Sequence, residues 1–145
     1  MADFRGVMPP IVTPFNQDFS INVEALRGLV EHLTTEGVHA IVPTGSTGEF
    51  ARLSIDERKE VLEVCIDQVG GRIPVIAGTA APGTREVIEL SQHAESAGAA
   101  GLQIVAPFYG KPSEEEVYNH YRQVAESVNI PILIYNNPTT TGIDI

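Results

Sequence analysis

A glycine-rich loop with two adjacent hydroxyl groups is the first feature of this sequence that could do chemistry. The loop, Thr44 to Glu49, reads Thr-Gly-Ser-Thr-Gly-Glu and directly follows a short apolar run. Its glycines allow a tight turn that exposes backbone N–H groups, and Ser46 and Thr47 add hydroxyl donors. Such a loop suits a small anion, a carboxylate or a phosphate, although an ordinary strand-to-helix turn has similar composition. The Gly-Lys-Ser/Thr ending of a P-loop is missing.

Two tyrosines follow later apolar runs in the same way. Tyr109 lies in Pro-Phe-Tyr-Gly, and Tyr135 precedes Asn-Asn-Pro. A phenol near another hydroxyl can relay a proton to or from a reacting carbonyl or imine. Taken singly, each tyrosine is more simply explained as an aromatic side chain covering the end of a sheet. Three polar clusters, each directly after an apolar run, favour a common site.

Short apolar runs alternate with longer amphipathic segments along the whole chain. The apolar runs predict five strands, at 7–13, 39–42, 73–77, 102–106 and 130–135. Four helices are expected between them, beginning at Asn22, at a Ser54 capping box, at Thr84 and at a Ser113 capping box. Because consecutive parallel strands need a helical crossover, this (βα)4β order predicts an α/β fold with a parallel sheet.

Two architectures fit this pattern. The Ile-Pro pairs at Ile73 and Ile130 lie two units apart, which gives roughly 28 residues per unit, close to one eighth of a (β/α)8 TIM barrel of about 250 residues. Residues 1–145 would then be an incomplete barrel domain with strands 1–5 and helices 1–4. A flavodoxin-like open sheet of five strands fits the length without remainder, so length alone favours that alternative.

Composition narrows the class of partner. The net charge is -10, from 19 acidic and 9 basic residues, and no basic run is present. This disfavours nucleic acids and anionic membranes. No apolar stretch approaches the ~20 residues of a membrane span, and Met1 to Arg5 contain no apolar signal core. The single cysteine, Cys65, permits no internal disulfide and is best interpreted as a buried hydrophobe. We therefore expect a cytoplasmic protein.

Several motifs in order resemble one enzyme family. Gly6 to Phe15, Gly45 to Glu49, Arg72 to Gly78 and Tyr135 to Pro138 with its following Thr-Gly are similar to the dihydrodipicolinate synthase / N-acetylneuraminate lyase family. The resemblance runs over the whole chain. It implies a (β/α)8 barrel, usually a dimer of dimers, whose members bind pyruvate or another 2-keto acid as a Schiff base on a lysine. Neither a metal nor a cofactor is expected.

The resemblance also implies roles for individual residues. The loop of Ser46, Thr47 and Gly48 would hold the keto-acid carboxylate through hydroxyl and backbone N–H groups. Tyr135 would be the general acid and base at the imine carbon and the aldol oxygen. Thr47 would link Tyr135 to Tyr109. In family tetramers, a tyrosine at the Tyr109 position is contributed to the site of the neighbouring subunit across the tight dimer interface. A protonated imine is an electron sink, so a nearby hydroxyl that moves the proton lowers the barrier.

The sequence departs from the family pattern at the Schiff-base lysine. That lysine belongs on the sixth strand, roughly 25 residues beyond Ile145. Lys59 lies in a charged segment, Asp56 to Glu60, interpreted as a solvated helix face, and Lys111 lies in a loop, so neither is expected to form an imine. We therefore expect a fragment or truncated product that is inactive in the family reaction.

A second departure bears on the substrate. Dihydrodipicolinate synthases carry an arginine after the tyrosine motif that pairs with the second substrate's carboxylate, and Thr140 stands at that position. A threonine cannot make the bidentate ion pair of an arginine. This favours a 2-keto-3-deoxy sugar acid aldolase or dehydratase over a true dihydrodipicolinate synthase.

Two functional alternatives stay open beside the enzyme. One is a non-catalytic half-barrel held together by self-association or by its missing half. The other is a flavodoxin-like module that binds phosphate at Gly45 to Gly48. A half-barrel would have two unpaired edge strands, so it should oligomerise or aggregate, whereas an open-sheet module should be a soluble monomer.

Overall fold

A computed structural model describes residues 4–145, so Met1 to Asp3 of the opening stretch lie outside it. The elements are α1 Val23–Thr35, a 3-10 turn Phe50–Arg52, α2 Ile55–Val69, β1 Ile76–Gly78, α3 Thr84–Ala97, β2 Gly101–Val105, α4 Glu114–Ser127, β3 Ile132–Tyr135 and a short α5 Pro138–Thr141. The predicted third, fourth and fifth strands are β1, β2 and β3. Within the described range, no helix is both long and apolar enough to cross a membrane.

The strands lie in the sheet in the same order as along the chain, and this order distinguishes the two architectures. β1, β2 and β3 pair in parallel, in that order. The first two predicted strands join the same sheet, because Ile11 N–H donates to the Val42 carbonyl at 3.1 Å and Ile76 N–H donates to the Ile41 carbonyl at 2.9 Å. The second segment is therefore flanked by the first and the third. A flavodoxin-like sheet has the order 2-1-3-4-5, so that alternative is wrong and the N-terminal part of a barrel is confirmed.

Prolines explain why the first two strands are only extended segments joined by isolated bridges. Pro9 and Pro10 lie inside the first segment, Pro43 directly follows the second, and a proline has no N–H to give to a ladder. The same effect delays two later strands. β1 begins after Pro74 and β3 begins after Pro131, so both start later than the apolar pattern predicts.

The predicted helix starts are confirmed at three of four positions. The Asn22 side chain accepts from Ala25 N–H at 2.9 Å, and both capping boxes, at Ser54 and Ser113, are formed. The prediction that Thr84 caps the third helix is wrong. Gly83 is the residue before that helix, and the Thr84 hydroxyl instead bonds His120 on α4. The hydroxyl of Thr84 therefore makes a tertiary hydrogen bond and not a local helix cap.

The sheet has two different apolar faces. The larger core lies between the sheet and the helices, where the consecutive pairs α1–α2, α2–α3 and α3–α4 pack together. A smaller cluster on the opposite face contains Ala40, Val42 and Ile76, with Met8 and Leu133 against it. Alternation along the strands sends neighbouring side chains to these two faces. In a barrel the second face is the interior.

Both outer strands of the sheet are exposed. Val7 and Val12 on the first segment are 63% and 51% exposed, and Ile134 on β3 is 51% exposed. Unpaired strand edges with apolar side chains invite association with other chains. The expectation that a half-barrel oligomerises or aggregates stays a prediction.

A buried histidine links α3 to α4. His120 is 3% exposed, and its Nδ1 lies 2.9 Å from the Thr84 hydroxyl. Its Nε2 has no hydrogen-bond partner among residues 4–145. The ring packs edge-on against Tyr121, with 5.2 Å between centroids. Burial lowers the pKa of His120, because the imidazolium would lose its hydration.

His120 should make the chain less stable in mild acid. An unfolded histidine takes up a proton near pH 6.5, whereas folded His120 resists protonation until lower pH. Between those values the unfolded state binds more protons, so the free energy of unfolding falls as pH falls. Urea denaturation at pH 7 and pH 5 should show this loss, and His120→Asn should flatten it. The most perturbed carboxyl, Glu31, has a pKa of about 2 through its hydrogen bond with Arg72, outside this window. Equal slopes for both proteins would contradict the assignment.

Candidate active site

The hydroxyl loop is fixed at its start by Thr44 and Gly78. Thr44 has a φ of 55°, a left-handed conformation that is unusual for a residue with a side chain. Its hydroxyl lies 2.9 Å from the Gly78 carbonyl, and Gly78 N–H donates to the Pro43 carbonyl at 3.0 Å. A Cβ added to Gly78 would lie 2.6 Å from the Thr44 carbonyl carbon. Only glycine allows this close approach of the two backbones.

The rest of the loop turns tightly and leaves its hydroxyls free. Glu49 N–H donates to the Ser46 carbonyl at 3.1 Å, and the Thr13 hydroxyl holds the Gly48 carbonyl at 2.7 Å. Ser46 and Thr47 are exposed, and within the described residues neither hydroxyl has a hydrogen-bond partner. Two unpaired hydroxyls on a rigid loop can therefore donate to a ligand without first breaking a bond.

Tyr135 lies beside this loop. It ends β3 and lines one pocket together with Gly45 and Ser46. Tyr135 is 38% exposed, and its hydroxyl accepts a hydrogen bond from the Asn137 amide at 3.1 Å. Because β1, β2 and β3 are parallel, the loop and the tyrosine share the carboxyl end of the sheet, where barrel enzymes place their chemistry.

The other predicted site residues lie outside this pocket. Tyr109 is 86% exposed and lines a separate hollow with Lys111 and His120. Thr140 is exposed on α5, where its N–H donates to the Asn137 carbonyl at 3.1 Å. Among the described residues Thr47 makes no hydrogen bond to either tyrosine. The relay from Tyr135 through Thr47 to Tyr109 stays a prediction.

Gln103, which was not among the predicted site residues, lines the same pocket. Gln103 lies in the middle of β2, between the fully buried Leu102 and Ile104. The available signal was a single amide inside an otherwise apolar strand. Alternation places it opposite the helix-facing core, on the barrel-interior face.

Arg58 was also misjudged. The charged segment around it was interpreted as a solvated face, yet Arg58 is only 6% exposed. Its guanidinium donates to the Gly78 carbonyl at 3.0 Å and lies 5.1 Å from the centre of the Phe50 ring. Burial lowers its pKa to about 10. Arg58 falls on the apolar stripe of Val61 and Leu62, three and four residues later, which was the signal for its burial.

The pocket therefore collects hydroxyl, phenol and amide groups with backbone N–H donors. These groups bind a carboxylate by hydrogen bonds. They suit divalent metals poorly, since those prefer carboxylates, imidazoles or thiolates. The arrangement offers hydrogen-bond donors for an anionic group and a phenol that can exchange a proton beside them.

Known proteins share this sequence and fold. The 4-hydroxy-tetrahydrodipicolinate synthases of Phenylobacterium zucineum and Nitrobacter hamburgensis are 44% and 46% identical to the chain over 142 residues. Each match covers 98% of this chain and 48% of the relative.

Solved structures agree. A prophage protein of E. coli from the dihydrodipicolinic acid synthase family, in complex with pyruvate, is 41% identical with a TM-score of 0.96, covering 99% of this chain and 48% of that one. Dihydrodipicolinate synthase from Aquifex aeolicus is 39% identical with a TM-score of 0.95, covering 97% and 48%. The chain thus spans about half the length of the relatives it matches. Since the model of the dihydrodipicolinate synthetase family also matches residues 3–145, the chain belongs to that family.

Proposed function

We propose that this chain supplies the carboxylate-binding loop and the proton-transfer tyrosine of a pyruvate-dependent Schiff-base lyase. The observation that carries the proposal is the shared pocket of Ser46, Gly45 and Tyr135 at the carboxyl end of the sheet. The E. coli relative and a dihydrodipicolinate synthase from Acinetobacter baumannii were both solved with pyruvate, which supports a keto-acid ligand.

The chemistry divides between the loop and the tyrosine. Ser46 and Thr47 donate hydroxyl hydrogens, and the loop backbone adds N–H groups, to the carboxylate of pyruvate. This fixes the keto carbon beside Tyr135, whose phenol exchanges a proton with the reacting carbon or oxygen. A lysine outside these 145 residues forms the imine that the family resemblance implies. Tyr109, exposed at the same end, is proposed to act across a contact between subunits in a homo-oligomer.

The names of the relatives favour 4-hydroxy-tetrahydrodipicolinate synthase as the complete activity. They do not support the sequence-based preference for a sugar acid. One observation still favours that second candidate. Thr140 is exposed, with its hydroxyl free among the described residues, and it can bind a substrate hydroxyl but not pair with a carboxylate. Comparing kcat/KM for both substrate classes in an active barrel separates the candidates.

Neither lysine of the chain is suited to form an imine. Lys59 pairs with Glu89 at 2.7 Å, and this hydrogen bond raises the pKa of Lys59 and keeps its amine protonated. A protonated amine has no lone pair for attack on a carbonyl. Lys111 lies in an exposed loop that lines the hollow beside Tyr109, away from the Ser46 pocket.

Borohydride trapping tests the proposal directly. The 145-residue chain incubated with pyruvate and borohydride should gain no mass. A hybrid that joins residues 1–145 to the C-terminal half of the Phenylobacterium zucineum synthase should be trapped at one lysine of the added half. Mass spectrometry of the intact proteins measures both results. An adduct on the chain alone, or none on a folded hybrid, would overturn the proposal.

A further inference from the structure

We propose that the side-chain amide of Gln103 is a further ligand of the keto acid and donates a hydrogen bond to its carboxylate. No role was assigned to this residue by the family resemblance. The inference rests on the proposed function, because it assumes that the acid is held by the loop of Gly45 and Ser46.

The position of Gln103 follows from the sheet. β2 is the central strand, and Gln103 pairs with Gly78 of β1 on one side and Leu133 of β3 on the other. Leu133 packs in the barrel-interior cluster, and the neighbours Leu102 and Ile104 are buried in the helix-facing core. The Gln103 side chain therefore extends over the interior face, under the hydroxyl loop.

Gln103 also reaches the loop. Its Oε1 lies 3.8 Å from the point where a Cβ on Gly45 would stand. It lines the pocket with Ser46 and Tyr135. The three side chains belong to the second, fourth and fifth strands of the chain or to the loops that follow them, and all three line one small space. A half-turn of the terminal amide exchanges its oxygen and nitrogen, so that the nitrogen can donate toward a carboxylate held by the loop hydroxyls.

The amide of Gln103 places a polar group at a position where barrels usually carry an apolar side chain. Interior positions of a barrel are filled mainly by branched apolar side chains. Gln103 is half-buried, and within residues 4–145 its side chain has no hydrogen-bond partner. A partly buried amide without a partner costs stability. The cost is offset when the amide nitrogen donates to an acid in the pocket.

Two substitutions separate binding from packing. Gln103→Met keeps the length of the side chain and removes the donor. Gln103→Glu keeps the shape and places a negative charge beside an anionic ligand. We expect Gln103→Met to weaken pyruvate binding about tenfold, which corresponds to about 1.4 kcal/mol, and Gln103→Glu to weaken it further. A ligand role predicts no loss of melting temperature for Gln103→Met, since the substitution removes an unpaired amide, whereas a packing role predicts a lower melting temperature.

Titration of the ¹⁵N-labelled 145-residue chain with pyruvate is the test. The side-chain NH₂ signals of Gln103 and the backbone signals of Gly45 and Ser46 should shift with one common dissociation constant. Sodium chloride at the same ionic strength, which supplies no carboxylate, controls for nonspecific anion effects. Gln123→Met, the same change on the exposed face of α4, should bind pyruvate like the unmodified chain.

The outcomes distinguish this inference from the proposed function. If the Gly45 and Ser46 signals shift while the Gln103 amide does not, or if Gln103→Met binds normally, the inference is overturned and the proposed function stands. If no loop signal responds to pyruvate, both fail. A melting temperature lowered in Gln103→Met, with binding unchanged, would assign Gln103 a structural role only.

Discussion

Replacing Tyr135 by phenylalanine in the hybrid barrel is expected to lower kcat by about 10²- to 10⁴-fold, the usual contribution of a positioned general acid or base. The ring remains, so the end of β3 keeps its shape, and only the hydroxyl is lost. KM for pyruvate should change little, because Ser46 and Thr47 hold the carboxylate. Steady-state kinetics of the hybrid and its variant measure both quantities.

Tyr118→Phe provides the matched control for this experiment. Tyr118 is 67% exposed on α4 and lies outside the pocket shared by Ser46 and Tyr135. The same loss of a hydroxyl there should leave kcat unchanged. A Tyr135→Phe hybrid that turns over as fast as its parent would remove Tyr135 from the proton transfer, even if pyruvate still binds.

The second large effect is expected from Gly78→Ala. The added methyl group would overlap the Thr44 carbonyl, which is backbone and cannot rotate away. Thr44 already has a left-handed φ of 55°, so the loop has little freedom to retreat. We expect the free energy of unfolding to fall by about 1–3 kcal/mol, the range for overpacking a tight site. Urea denaturation followed by circular dichroism measures the change.

Gly28→Ala is the opposite control. Gly28 lies on the exposed face of α1, and an added Cβ there would contact nothing within 4 Å. A glycine inside a helix is less stable than alanine, so this change should raise stability by about 0.5–1 kcal/mol. If Gly78→Ala is at least as stable as the unmodified chain, the close approach of Gly78 to Thr44 is not a constraint.

Local signals in the sequence predicted the helices well. The caps at Asn22, Ser54 and Ser113 depend on residues three positions apart, so they act before any tertiary contact forms. The position of the Thr44 to Glu49 loop was predicted for a similar reason, because an apolar run and glycines define it. Thr84 shows where prediction from local sequence fails, because its hydroxyl bonds a histidine 36 residues away.

The site could be predicted only in part. Ser46 and Tyr135 line one pocket, as the sequence predicted, because polar groups that follow parallel strands gather at one edge of the sheet; their roles stay predictions. Gln103 and Arg58 were missed because their environments come from distant segments: Arg58 is covered by the Phe50 ring and held by a carbonyl 20 residues later. Nothing in a charged run of five residues indicates which member will be enclosed by the rest of the chain.

The prolines of the sheet have a consequence for how accurately the pocket is assembled. Pro9, Pro43, Pro74 and Pro131 each accept a backbone hydrogen bond from the adjacent segment, at 2.9 to 3.2 Å. Sliding any of these segments by a single position would turn the carbonyl away from its donor and send every side chain to the wrong face. These prolines therefore disfavour a shifted register of the strands. They keep the amide of Gln103 and the phenol of Tyr135 on the same side as the loop that they are proposed to serve.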